Sequence, residues 1–144
     1  MPRVWMLALT LLMVSTGAPA FGQAGHGPGH PAPITVQMTP RMINGEGSVM
    51  FHPMGDRVDI HIVANRLPPP ATYSLWLVDP KSGGPAAREI AALPATDGKA
   101  ELRLTIPAAE LRKWRTIELI HQPSGSLHNT EHAHPALQAT IPQL

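Results

Sequence analysis

Residues 100–106 read Ala-Glu-Leu-Arg-Leu-Thr-Ile, with Leu102, Leu104 and Ile106 alternating strictly with Glu101, Arg103 and Thr105. A side-chain period of two puts the three apolar residues on one side of an extended strand and the polar ones on the other. Such a strand is half-buried and needs a second apolar surface to cover it. The same alternation recurs on both sides of this stretch. Ile34, Val36 and Met38 alternate with Thr35 and Gln37, Val49 and Phe51 with Met50 and His52, and Val58, Ile60 and Ile62 with Asp59 and His61. Tyr73, Leu75 and Leu77 alternate with Ser74 and Trp76, Ile117 and Leu119 flank Glu118, and Leu137, Ala139 and Ile141 close the chain. Residues 88–93 are a weaker candidate. Short alternating segments at this spacing predict an all-β fold, an antiparallel β-sandwich of seven to eight short strands.

The punctuation agrees with that reading. The chain has 17 prolines and 12 glycines among 144 residues, which favours frequent turns over long helices. Pro53-Met54-Gly55-Asp56 is expected to form a four-residue hairpin loop, residues 68–70 end a strand, residues 79–85 form a loop, and Asp97-Gly98 marks a tight hairpin. One helix is expected, over residues 107–114, with Pro107 at its first position and Glu110 in its first turn. Two turns long, it would plug one end of the sandwich. Trp76 faces away from Tyr73, Leu75 and Leu77. Both faces of that strand are therefore expected to be covered, which makes it central and places Trp76 in the core.

Residues 1–24 have the order of a secretory signal peptide. Arg3 supplies a positive start, residues 4–14 are apolar but for Thr10, and small residues follow. Ala18-Pro19-Ala20 fits cleavage before Phe21, and Gly22-Gln23-Ala24 fits cleavage before Gly25. The apolar run is too short for a membrane span, which needs about 20 residues. The protein is therefore expected to be periplasmic or secreted, with no stable membrane insertion after cleavage. Residues 25–33, Gly-His-Gly-Pro-Gly-His-Pro-Ala-Pro, are expected to be a flexible leader, and residues 34–144 the sandwich domain. The 11 basic and 10 acidic residues leave no basic footprint for a nucleic acid. The absence of cysteine excludes disulfides, thiol chemistry and cysteine-ligated metals, so the core alone must supply stability.

The run from Tyr73 to Asp79, Tyr-Ser-Leu-Trp-Leu-Val-Asp, is followed by a Gly/Pro loop, a strand, Asp97-Gly98, the Leu102–Leu104 alternation, a Pro-led turn of helix, and Thr116-Ile-Glu-Leu-Ile120. A Gly-containing loop, residues 122–135, comes last. This order resembles the extracytoplasmic β-sandwich domain of anti-sigma-K-type anti-sigma factors over residues 46–142. The resemblance implies a sandwich fold, export and a binding role without catalytic residues. Members of that family carry a sigma-binding helical domain and a transmembrane helix upstream, and neither is read in these 144 residues. Where members carry an acidic-Pro-Gly-Gly pattern, residues 118–126 read Glu-Leu-Ile-His-Gln-Pro-Ser-Gly-Ser, a partial match.

Eight histidines are many for so short a chain. His128, His132 and His134 form His-x-x-x-His-x-His in a polar loop. In extended backbone His132 and His134 point to one side, and a turn at residues 129–131 would bring His128 back to them. Three imidazoles and a water suit Cu or Zn, with Glu131 as a further ligand or support. The plainer reading is a solvated loop. His121 ends the strand before this loop and would be a fourth contributor if the two lie side by side. His26 and His30, on the leader, would join a shared ion or scavenge weakly, because ordering them costs entropy.

Met38, Met42, Met50 and Met54 fall within seventeen residues, with His52 between the last two. Thioether sulfur favours Cu(I). The plainer reading makes methionine a core filler, and Met38 continues an apolar stripe. With a four-residue loop at residues 53–56, His52 faces Arg57, Val49 faces Ile60 and His61 faces Ser48. His52 and His61 then lie four rows apart, roughly 13 Å, and are not expected to share an ion.

No G-x-S-x-G elbow or H-E-x-x-H motif occurs, and the acids are scattered singly. The expectation is therefore an exported, non-catalytic binding module of the periplasm or cell exterior, whose partner is a protein or a small ligand. The alternative is a transition-metal protein, binding Cu or Zn at the His-rich loop.

Overall fold

The alternating segments become strands because each has one apolar side to bury, and two sheets facing each other bury all of them at once. The computed structural model describes residues 31–69, 72–82, 86–122 and 134–144. The signal segment, the leader as far as His30, and the loop bearing His128, Glu131 and His132 lie outside these residues. In chain order the elements are β1 (Ile34–Gln37), β2 (Thr39–Pro40), β3 (Glu46–Met54), β4 (Arg57–Asn65), β5 (Thr72–Pro80), β6 (Ala87–Pro94), β7 (Ala100–Pro107), α1 (Ala108–Leu111), β8 (Trp114–His121) and β9 (His134–Thr140). One sheet has the order β1-β3-β4-β7 and the other β2-β9-β8-β5-β6, with antiparallel neighbours throughout. The expected antiparallel sandwich is present.

The strand count exceeds expectation because the first segment divides. β1 pairs with β3 in one sheet and β2 pairs with β9 in the other. Met38 sits at the crossover, buried, its N–H donating to the Gly47 carbonyl at 2.8 Å. One segment thus closes one side of the sandwich. Gly47 makes room for this: a Cβ there would stand 3.0 Å from the Val63 carbonyl oxygen and 3.0 Å from Leu137 Cδ1.

Most of the core comes from the inward residues read from the alternation, whereas Ile34 on β1 is exposed. Val49, Phe51, Ile60 and Ile62 from one sheet meet Tyr73, Leu75, Leu77, Ile117, Leu119 and Leu137 from the other, all fully buried. Leu102 and Leu104 are only partly buried, because β7 is an edge strand. β5 is a central strand, as expected, but Trp76 is not core. It lies half-buried on the outer face, and its Nε1–H donates to Ser74 Oγ at 2.7 Å. The Tyr73 hydroxyl donates to the Pro68 carbonyl at 2.6 Å and so pins the segment that carries the chain from β4 to β5.

The helix is shorter than expected. α1 covers one turn, because Trp114 already starts β8. It still plugs the sandwich. Ala108, Leu111 and Trp114 are buried, and Ala108 N–H donates to the Asp56 carbonyl at 2.8 Å.

Candidate functional site

The β3–β4 hairpin turns on two central residues, Gly55 and Asp56, between the paired Met54 and Arg57. Gly55 has φ of 71° and Asp56 does not share that sign, the pattern of a type II′ turn, which favours glycine at its first central position. A two-residue connection in place of the expected four-residue loop moves every cross-strand partner by two. His52 therefore faces Asp59 rather than Arg57, and Met50 faces His61, which had been paired with Ser48. His52 and His61 lie two rows apart on adjacent strands, and their four-row separation is corrected. Diagonal neighbours of this kind are about 7–8 Å apart, within reach of long side chains.

Strand β7 extends the array. Arg103 faces His61 and Thr105 faces Asp59. All these residues point away from the core, because their neighbours Val49, Phe51, Ile60, Ile62 and Ile106 point into it. The outer face of the four-stranded sheet thus carries Met50 and His52 on β3, Asp59 and His61 on β4, and Arg103 and Thr105 on β7. These side chains line an open groove of about 320 Å³.

Hydrogen bonds order one side of the groove. His61 Nε2 lies 2.6 Å from Glu101 Oε1, across a diagonal between β4 and β7. Arg103 lies 3.5 Å from the same oxygen. The His61 hydrogen bond, aided by His61 and Arg103 charge, holds the Glu101 carboxyl below its ordinary value. Thr105 Oγ1 donates to Asp59 Oδ1 at 2.7 Å. Met50 is 38% exposed, too open to serve as core filling.

The remaining candidates are placed as follows. Met54 is on the same face two rows past His52, opposite Arg57, and does not line the groove. Met38 is core and Met42 is exposed on the segment between β2 and β3. His121 is buried with its ring centroid 4.9 Å from that of Tyr73, and it pairs in register with the exposed His134. The end of β8 and the start of β9 lie side by side. His26, His30, His128, Glu131 and His132 fall outside the described residues. Among the described residues, no three of His, Asp and Glu stand together as a metal site.

Sequence reasoning missed His61, Asp59, Glu101, Arg103 and Thr105 as neighbours. The Gly55-Asp56 dipeptide was the signal that could have found them, since Gly-Asp between two alternating runs favours a two-residue turn.

Other polar groups of the described residues serve structure. Glu110 is held down at about 2 by hydrogen bonds from Lys113, Trp114 and Arg88, which fasten α1 beside β6. Ser74 is buried between Trp76 and Gln122, accepting from Gln122 Nε2 at 3.1 Å. Set against models of protein families, curated proteins and solved structures, the chain matches none of them.

Proposed function

We propose that this protein is an exported, non-catalytic binding domain and that the outer face of its four-stranded sheet is the binding surface. One observation carries the reading: Met50, His52, Asp59, His61, Arg103 and Thr105 converge on a single open groove while their strands keep the core closed beneath. A rigid sheet presents such side chains with little ordering cost on binding. The order of residues 1–24 supports export. The likeness of Tyr73–Asp79 and the segments after it to the outer domain of anti-sigma-K-type anti-sigma factors supports a binding role. Among the described residues, no helix is long and apolar enough to cross a membrane.

The test is an amide NMR titration of the protein recovered from cells expressing residues 1–144. The panel comprises Cu(I), Zn²⁺, a nucleoside triphosphate and short acidic and basic peptides. At least one member should give saturable shifts confined to β3, β4 and β7. Saturable shifts located elsewhere, or no shifts with any member, would overturn the assignment of this face. Mass spectrometry of the same sample checks export: the chain should begin at Phe21 or Gly25.

A further inference from the structure

We propose that Met50, His52 and His61 form a site for a soft monovalent ion, Cu(I), on the outer face of the four-stranded sheet. The proposal rests on the reading of that face as the binding surface and specifies its ligand. Three features carry it.

The first is placement. Met50 and His52 are two apart on β3 and share its outer side, and His61 faces Met50 from β4. The three side chains occupy three corners of one cross-strand square and line the same groove. The fourth corner is Asp59, whose Oδ1 is engaged by the Thr105 hydroxyl. The other three corners offer two imidazoles and one thioether, with the Asp59 carboxylate beside them.

The second is donor chemistry. Sulfur of the thioether type is a soft ligand that selects Cu(I), and imidazole binds copper readily. A ligating imidazole and a thioether carry no charge, and the Arg103 guanidinium on the row of Met50 and His61 is offset by the Glu101 carboxylate beside it. Zn²⁺ prefers four nitrogen, oxygen or thiolate ligands, and no trio of His, Asp and Glu is available among the described residues.

The third is support. Glu101 accepts a hydrogen bond from His61 Nε2 at 2.6 Å. A neutral His61 that donates from Nε2 keeps its lone pair on Nδ1, and a carboxylate behind a histidine is the usual partner of a metal-bound imidazole. Glu101 is thus a positioning residue, held in turn by Arg103.

The experiment is competition with bicinchoninate for Cu(I) under anaerobic, reducing conditions, with the same recovered protein. The wild type should bind one equivalent. Met50→Leu and His52→Asn should each weaken binding by about tenfold or more, while the triple variant H128A/H132A/H134A should bind as the wild type does. Glu101→Ala should cost about tenfold and Glu101→Gln, which keeps an acceptor, clearly less. A parallel titration with Ag(I), watched through the methionine methyl resonances, should shift Met50 to saturation at one equivalent and leave Met42 unmoved. Amide spectra of each variant confirm the fold. Affinity untouched by Met50→Leu and His52→Asn, or lost in the loop variant alone, overturns the proposal. If Cu(I) fails but another panel ligand shifts β3, β4 and β7, this proposal falls and the binding face stands. If nothing shifts that face, both fall.

Discussion

On the four-stranded sheet, the outward residues of β3, β4 and β7 include Met50, His52, Asp59, His61, Arg103 and Thr105. On the five-stranded sheet, the outward residues of β5 and β8 include Ser74, Trp76, Glu118 and Ile120. Both faces come from strands of the same period, yet their polar groups are spent differently. Ser74 is fully buried, and it takes hydrogen bonds from Trp76 and from the fully buried Gln122. Glu118 faces Trp76 across the β5–β8 ladder and is half-buried, and burial raises its carboxyl above the ordinary range despite the charge of Arg41. That face uses its polar side chains on one another. On the other sheet Met50 stands 38% exposed, and the hydrogen bonds at the groove secure Asp59 and His61 from the β7 side. Outward position in a strand therefore does not mark a binding residue. On the open face, His61 and Asp59 are held by β7 while Met50 beside them stays open to solvent.

The largest effect expected from this contrast is on stability. Ser74→Ala removes the acceptor shared by two donors, one of them on a fully buried side chain. Leaving buried donors unsatisfied costs about 1–3 kcal/mol. Thermal unfolding should show a loss of several degrees. Met50→Leu and His52→Asn, on the open face, should each change stability by no more than about 0.5 kcal/mol. If Ser74→Ala melts where Met50→Leu does, the two faces do not differ as described.

Tyr73 gives a smaller effect at the same end of the five-stranded sheet. Its hydroxyl bonds the Pro68 carbonyl, and burial pushes its phenol up to about 12 from 10.0. Tyr73→Phe should cost about 1 kcal/mol, the usual net worth of one hydrogen bond. The raised value also fixes the sign of a pH effect. The stability it contributes is complete below pH 10, where the unfolded phenol is still neutral, and is lost as pH rises towards 12. Denaturant midpoints measured between pH 9 and pH 12 should fall for the wild type beyond pH 10 and fall less steeply for Tyr73→Phe. Parallel curves for the two proteins would show that the phenol is not desolvated.

How far the molecule is legible from its residues follows from what is local and what is not. Alternation is local, and the strands at Val58–Ile62, Tyr73–Leu77 and Leu102–Ile106 stand where the alternation puts them. The Asp97-Gly98 turn is local too, and both residues have positive φ, 52° and 72°, as a type I′ hairpin requires. Register is not local. It depends on the length of one turn, and a two-residue difference at Gly55-Asp56 converts two distant histidines into diagonal neighbours. The sheet change at Met38 and the early end of α1 at Trp114 are decided by packing partners far along the chain. Trp76 shows the same limit: that both faces of β5 would be covered is readable, but not that its indole would serve the outer face through Ser74. The His128–His134 loop can be judged only in part, since His134 alone of its three histidines is among the described residues.

The smallest effects compare two carboxylates, one from each outer face. Glu101 is held below its ordinary 4.5 chiefly by the His61 hydrogen bond, and Glu118 is held above 4.5 by burial. The signs are opposite. A depressed carboxyl stabilises the fold above pH 4.5, and that contribution is lost as pH falls through its folded value. A raised carboxyl is a burden at neutral pH that lifts as pH falls through its folded value, where the native state takes up a proton first. Carbon-detected NMR titration of the side-chain carboxyls should place Glu101 below and Glu118 above the unfolded value. Glu118→Gln, which needs no ionised form, should leave stability unchanged or slightly raised at pH 7 and remove the upturn on acidification. His61→Gln should return Glu101 towards 4.5 without moving Glu118, because no hydrogen bond or charge of His61 acts on Glu118. A His61 substitution that moved both carboxyls would mean the faces are coupled through the core. The open groove would then be one side of a single responsive structure, and binding there would register at Trp76 and Glu118 as well.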